Sequence, residues 1–76
     1  MNDKRRAKIS AVKSRLFNAQ QDIDQITCDE QECFDALPEN FQEAERGWQM
    51  QNAIDALDEA SNLIETAMEK LSEATE

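Results

Sequence analysis

Apolar residues recur through the first half of the chain at Ile9, Val12, Leu16, Ala19, Ile23, Ile26, Cys33 and Leu37, in alternating steps of three and four. Glu30 takes the one missing place. This is the a/d template of a heptad repeat, which a helix presents as a single stripe. In the second half, Met50, Leu57, Ile64 and Leu71 hold one heptad position, and Ala53, Ala60, Ala67 and Ala74 hold the next. Ile54 and Met68 widen that second stripe. Alternation with a period of two is absent, so strands are not expected.

Both breakers lie mid-chain, as Pro38 and Gly47. The residue before a proline is pushed out of the helical region, so the first helix is expected to stop near Leu37. Asn40 followed by Glu43 has the spacing of a capping box and offers a start for the second helix. Gly47 falls in or near its first turns, at a cost of about 1 kcal/mol relative to alanine, so a second start just before Gly47 is the alternative. The pattern predicts one domain, residues 1–76, with helix one over about 3–36, an elbow over about 37–43 and helix two over about 44–75. A short connection between two long helices makes them antiparallel neighbours. The alanine column strips bulk from one seam position and predicts an axial separation at the near end of about 8–10 Å. The expected fold is therefore all-α: an antiparallel two-helix hairpin, coiled-coil-like, with an alanine-rich seam.

Length adds a demand for support. A core of this size rarely supplies more than about 3–5 kcal/mol. Two cysteines and no histidine provide neither a disulfide framework nor a Cys/His zinc site. Self-association into a helical bundle, or binding to a partner, is the expected remedy. Cys28 and Cys33 are five residues apart and point to different sides of a helix, so they do not bridge. Cys33 reads as a small core residue and Cys28 as a surface thiol.

Charge changes the picture further. The net charge is −9, yet residues 1–15 carry Lys4, Arg5, Arg6, Lys8, Lys13 and Arg15 against Asp3 alone, a net of +5. The rest carries sixteen acids against Arg46 and Lys70, a net of −14. Helix one begins with cations and ends with Asp29, Glu30, Glu32 and Asp35, and helix two ends with Glu65, Glu69, Glu73 and Glu76. Both placements oppose the helix dipole. An antiparallel pairing would set the basic start beside the acidic end, where the two are expected to neutralise each other. A rival use of Lys4, Arg5, Arg6 and Lys8 is phosphate binding in a nucleic-acid complex. At the elbow, Asp29, Glu32, Asp35, Glu39 and Glu43 crowd together with only Arg46 nearby. A solvated surface is the plain reading of these acids. The sharper one is an anionic face that imitates a phosphate backbone for a basic groove on another protein. Phe17, Phe34, Phe41 and Trp48 are candidate anchors, since aromatics at such places dominate interfaces. The last three have a competing use as a cap over the open end of the helix pair.

Catalysis is not expected. Histidine is missing, and the chain has no Gly-rich phosphate loop, nucleophile elbow or Glu-x-x-His signature. Two helices enclose no substrate-sized pocket. No calcium loop pattern is present, so no metal or cofactor is expected. No long apolar run suggests a leader or a membrane span, and reduced cysteines fit a cytoplasmic setting.

The run FDALPENFQEAERG over residues 34–47, followed by the acidic AIDALDEASNLIETA, resembles a group of short proteins of phages and prophages of Gram-positive bacteria. In that group a basic first helix leads through an LPEN…ERG elbow into an acidic second helix. Ala44 stands where the group tends to have serine, which weakens a second capping site there. The resemblance implies a phage-linked, cytosolic context in a bacterial host and no catalytic residues. With the charge pattern, it leads to the expectation of a non-enzymatic protein-binding module. Its most concrete form is a phage-encoded inhibitor of a host defence or nucleic-acid-handling protein, acting by surface occlusion or acidic mimicry. A dimeric nucleic-acid-binding regulator and a small structural or assembly component are the alternatives.

Overall fold

A computed structural model describes residues 1–76, and every element in it is helical. Asn2 opens the first helix by accepting the Arg5 backbone N–H on its side-chain oxygen at 2.9 Å. The helix, α1, runs Asp3–Asp35; a single turn, α2, runs Glu39–Gln42; and α3 runs Glu45–Ala74. α1 alone would be about 50 Å long, and the whole molecule measures 58 × 15 × 12 Å over its Cα atoms. α3 therefore lies back along α1 in a layer two helices wide and one thick. The Gln20 amide donates to the Ser61 carbonyl at 3.1 Å and to the Glu65 carboxylate at 3.0 Å. The Ser61 hydroxyl donates to Asp24 at 2.8 Å. Ile54, with 4% of its surface exposed, is the one buried apolar side chain.

The seam follows the expected template at every second place and departs from it at the others. Ile9, Leu16 and Ile23 on α1, Leu37 just past its end, and Met50, Leu57, Ile64 and Leu71 on α3 are all half-buried. Between them, however, α1 turns Lys13, Gln20, Thr27 and Phe34 inward, not Val12, Ala19, Ile26 and Cys33, which are exposed. On α3 the alternate places belong to Gly47, Ile54, Ser61 and Met68, and Thr75 continues them just past its end. The alanine column sits on the flank: Ala53 and Ala74 are exposed, and Ala60 and Ala67 only half-buried. Cys33, expected in the core, is an exposed free thiol like Cys28. The reason is bulk. Burial rewards area at about 25 cal/mol per Å², and Ile54 and Met68 offer α1 far more than four methyl groups. The long stems of Lys13 and Gln20 can cover that surface while their polar ends reach water or a partner.

The elbow is more ordered than the proline and the charge run suggest. Pro38 does not merely end α1; its carbonyl accepts from the Phe41 and Gln42 N–H groups at 2.8 and 3.1 Å and so starts α2. Asn40 lies inside that turn and caps nothing. The N-cap of α3 is Ala44, with an extended backbone and no side-chain hydrogen bond. The Gln42 side chain reaches back to donate to the carbonyls of Phe34 and Leu37, at 3.2 and 3.0 Å. It thereby satisfies the Leu37 carbonyl, which the end of a helix leaves open, and adds a second donor to the Phe34 carbonyl, which already accepts the Leu37 N–H at 3.1 Å. Gly47 is buried where α2 meets the first turn of α3, and a Cβ there would fall 2.1 Å from the Gln42 backbone oxygen. Its role is close approach; its backbone is ordinary and its φ negative.

The expected ion pairing between the helices is not formed. Two salt bridges exist, Arg6 to Asp3 at 3.5 Å and Lys70 to Glu73 at 3.2 Å, and each runs along one helix. Glu65, Glu69 and Glu73 on α3 and Glu76 beyond it are all exposed, and the one of them that reaches α1, Glu65, meets the neutral Gln20 amide. At such exposed places, ordering two long side chains offsets most of the roughly 0–1 kcal/mol that a surface pair contributes.

Candidate partner-binding surface

The expected partner-binding residues divide between two places. Asp29, Glu32 and Asp35 occupy the last turns of α1, Glu39 and Phe41 lie in α2, Glu43 follows it, and Trp48 stands in the first turn of α3. The fold thus gathers these seven residues at one tip. Phe34 belongs to the same tip but faces inward and is half-buried. Phe17 does not belong there: it lies near the middle of α1 on the same broad side as Asp24, with 52% of its surface exposed.

At the tip, the aromatics do not close over the helices as a cap. Trp48 keeps 63% of its surface exposed and Phe41 49%. Only Phe34 packs, next to the Gln42 contact that ties α2 to α1. The carboxylates are equally free. Asp29 and Asp35 each accept a single hydrogen bond from a glutamine one turn earlier, Gln25 and Gln31, both at 3.0 Å. None of Glu32, Glu39, Glu43 or Glu45 meets a cation within salt-bridge range. An exposed tryptophan and phenylalanine amid unpaired carboxylates can offer both apolar anchors and a negative field to a basic surface.

Arg46, the one cation at this tip, points elsewhere. With Glu30, Cys33, Gln49 and Met50 it lines an open depression of about 400 Å³ between α1 and α3. Sequence reasoning did not single out this depression, because it depends on Cys33 turning outward. Gln42 and Gly47, which hold the tip in shape, were likewise invisible as functional residues. The only signal was that Gly47 is the single glycine of the chain.

The basic residues stand at the far end of the 58 Å molecule. Lys4, Arg5 and Lys8 are exposed and make no ion pair, while Arg6 holds Asp3. No helix is long and apolar enough to cross a membrane. No group of three or more acidic or cysteine side chains is placed to hold a metal ion. Comparison with known protein families, curated proteins and solved structures finds no match.

Proposed function

We propose that this chain is a non-enzymatic protein-binding module. In this reading the antiparallel hairpin is the working unit, and it self-associates into a helical bundle. Its acidic tip occupies a basic surface on a protein that itself handles nucleic acid. The resemblance at residues 34–47 supports a phage-linked setting in the bacterial cytoplasm, and joined to the net charge it makes an inhibitor of a host defence or nucleic-acid-handling protein the most concrete form of this reading. One observation carries this reading above the rest. Trp48 and Phe41 stay exposed at the same tip as Glu32, Asp35, Glu39, Glu43 and Glu45, none of which is neutralised from within.

Immobilised chain exposed to host lysate provides the test. The expected catch is a basic, nucleic-acid-binding protein that added duplex DNA releases. Capture should fall when Glu32→Gln, Asp35→Asn, Glu39→Gln and Glu43→Gln are combined. Capture that ignores both the four substitutions and the DNA overturns the mimicry.

A second reading rests on the free cations. Lys4, Arg5 and Lys8 lack any partner in the chain, as a phosphate-binding patch requires. It predicts direct nucleic-acid binding that weakens steeply with salt. A gel shift with no complex at low salt removes it.

A further inference from the structure

Two apolar columns run along α1, and α3 covers only one of them. The uncovered column is Val12, Ala19, Ile26 and Cys33. At about 100° per residue it sits about 80° from the direction that faces α3. The alanines of α3 occupy the same angular place on their own helix. Antiparallel helices present equivalent heptad flanks on the same side of their layer. The depression shared by Cys33 and Arg46, one from each column, shows the two flanks meeting on one side. The opposite side carries Phe17, Asp24, Asp58 and Glu65, with Ser61 bridging toward Asp24. One broad side is therefore small and apolar, and the other acidic. On the apolar side Val12 keeps 39% of its surface exposed and Ile26 53%; Leu63, at the adjoining edge, keeps 63%.

We propose that a second copy of this chain covers the apolar side with its ends reversed, about a two-fold axis passing near Ala19. This deepens the self-association reading above and rests on it. Area is the first argument. The chain exposes 5637 Å², against about 4,700 Å² for a compact 8.7 kDa protein. The excess of about 900 Å² matches the roughly 800 Å² per partner that a stable interface buries.

Charge sets the direction. Ala19 is the central residue of α1. Bordering its column at seven-residue steps are Lys8, Arg15, Asp22 and Asp29, two cations and then two acids. None of the four is ion-paired within the chain. With ends reversed about Ala19, Arg15 of one copy meets Asp22 of the other, Lys8 meets Asp29, and Val12 meets Ile26. Gln20 beside Ser61 and Glu65 fixes the relative height of the helices. That height brings Leu63 to its own counterpart near the axis and Ala60 to Ala67. A dimer with ends aligned would instead lay α1 over α3, set Arg15 near Lys70 and leave Asp22 facing Leu63. Reversal alone matches opposite charges along the whole edge.

Sedimentation equilibrium of the full chain, with circular dichroism to verify helix content, tests the arrangement. Arg15→Glu and Asp22→Arg should each weaken the dimer about tenfold, because each turns two symmetric attractions into repulsions. Combined in one chain they should restore it to within about threefold. A chain carrying Cys28→Ser, Cys33→Ser and Ala19→Cys should link to itself on mild oxidation. The same background with Gln51→Cys, on the acidic side, should not. A wild-type dimer that ignores both charge reversals and yields no Ala19→Cys link overturns the face and direction while leaving self-association intact. A chain that is monomeric at every concentration overturns self-association, and this arrangement with it.

Discussion

Along α1 and α3 the same contact recurs at every turn, whereas between Asp35 and Glu45 each contact occurs once. The rods meet through half-buried Ile, Leu and Met at heptad spacing, and among their apolar side chains only Ile54 is buried. Their register is therefore held by few features: the bulk of Ile54 and Met68, and the Gln20, Ser61 and Asp24 hydrogen bonds. The elbow has almost no buried area. It is specified by geometry: the Pro38 carbonyl that starts α2, the Gln42 amide that reaches back to α1, and the missing side chain of Gly47. Repetition leaves a helix pair free to choose among similar stripes. Single-use contacts leave a turn no such choice.

Substitutions separate the two modes, read by urea or thermal unfolding at one fixed chain concentration, since association shifts apparent stability. Ile54→Ala should cost the most, about 2–4 kcal/mol, because it removes the most deeply buried apolar side chain of the rods. Comparable losses from Leu16→Ala and from Ile54→Ala would show instead that burial is spread evenly along the seam. Gly47→Ala comes next. Helix propensity alone would make it stabilising by about 1 kcal/mol, yet the Cβ would strike the Gln42 backbone, and overpacking of this kind costs about 1–3 kcal/mol. The expected net sign is a loss, and a gain in melting temperature would refute the close approach. Gln42→Ala should remove about 1 kcal/mol by leaving the Leu37 carbonyl to water and the Phe34 carbonyl with the Leu37 N–H as its one remaining donor. Ala44→Ser runs the other way, adding about 0.5–1 kcal/mol by supplying the side-chain cap that α3 lacks. Lys70→Ala should change stability by less than about 0.5 kcal/mol, its partner Glu73 being exposed.

The sequence makes the rods legible and much of their contact illegible. Ile9, Leu16, Ile23, Met50, Leu57, Ile64 and Leu71 belong to the seam under any heptad reading, because both candidate stripes share them. The stripes differ by one residue at alternate steps, and along α1 the more apolar choice, through Val12 and Ile26, is the one turned outward. What decides the matter is the bulk offered by the opposite helix, a property of the pair that no single periodicity contains. Asn40 and Glu43 show a different limit. Their spacing is that of a capping box, but a turn begun by Pro38 absorbs Asn40 before α3 starts. The acidic tip was legible as composition alone. That Phe17 stands apart was legible from its place one residue past Leu16, whereas the exposure of Trp48 and Phe41 beside the acids required the packing of α2 against its neighbours.

Because α1 begins beside the place where α3 ends, Met1 and Glu76 emerge together, and the turn through Pro38 is the farthest point from both. Anything joined to either terminus sits behind the molecule, with the acidic turn projecting away from it at the end of a strut 58 Å long. A tag, a surface linker or a neighbouring domain placed there leaves that copy's own tip unobstructed, but in the reversed pair it lies against the acidic turn of the second copy. A bulky group at either terminus therefore tells a lone chain from a reversed pair, since only in the pair does it crowd an acidic turn.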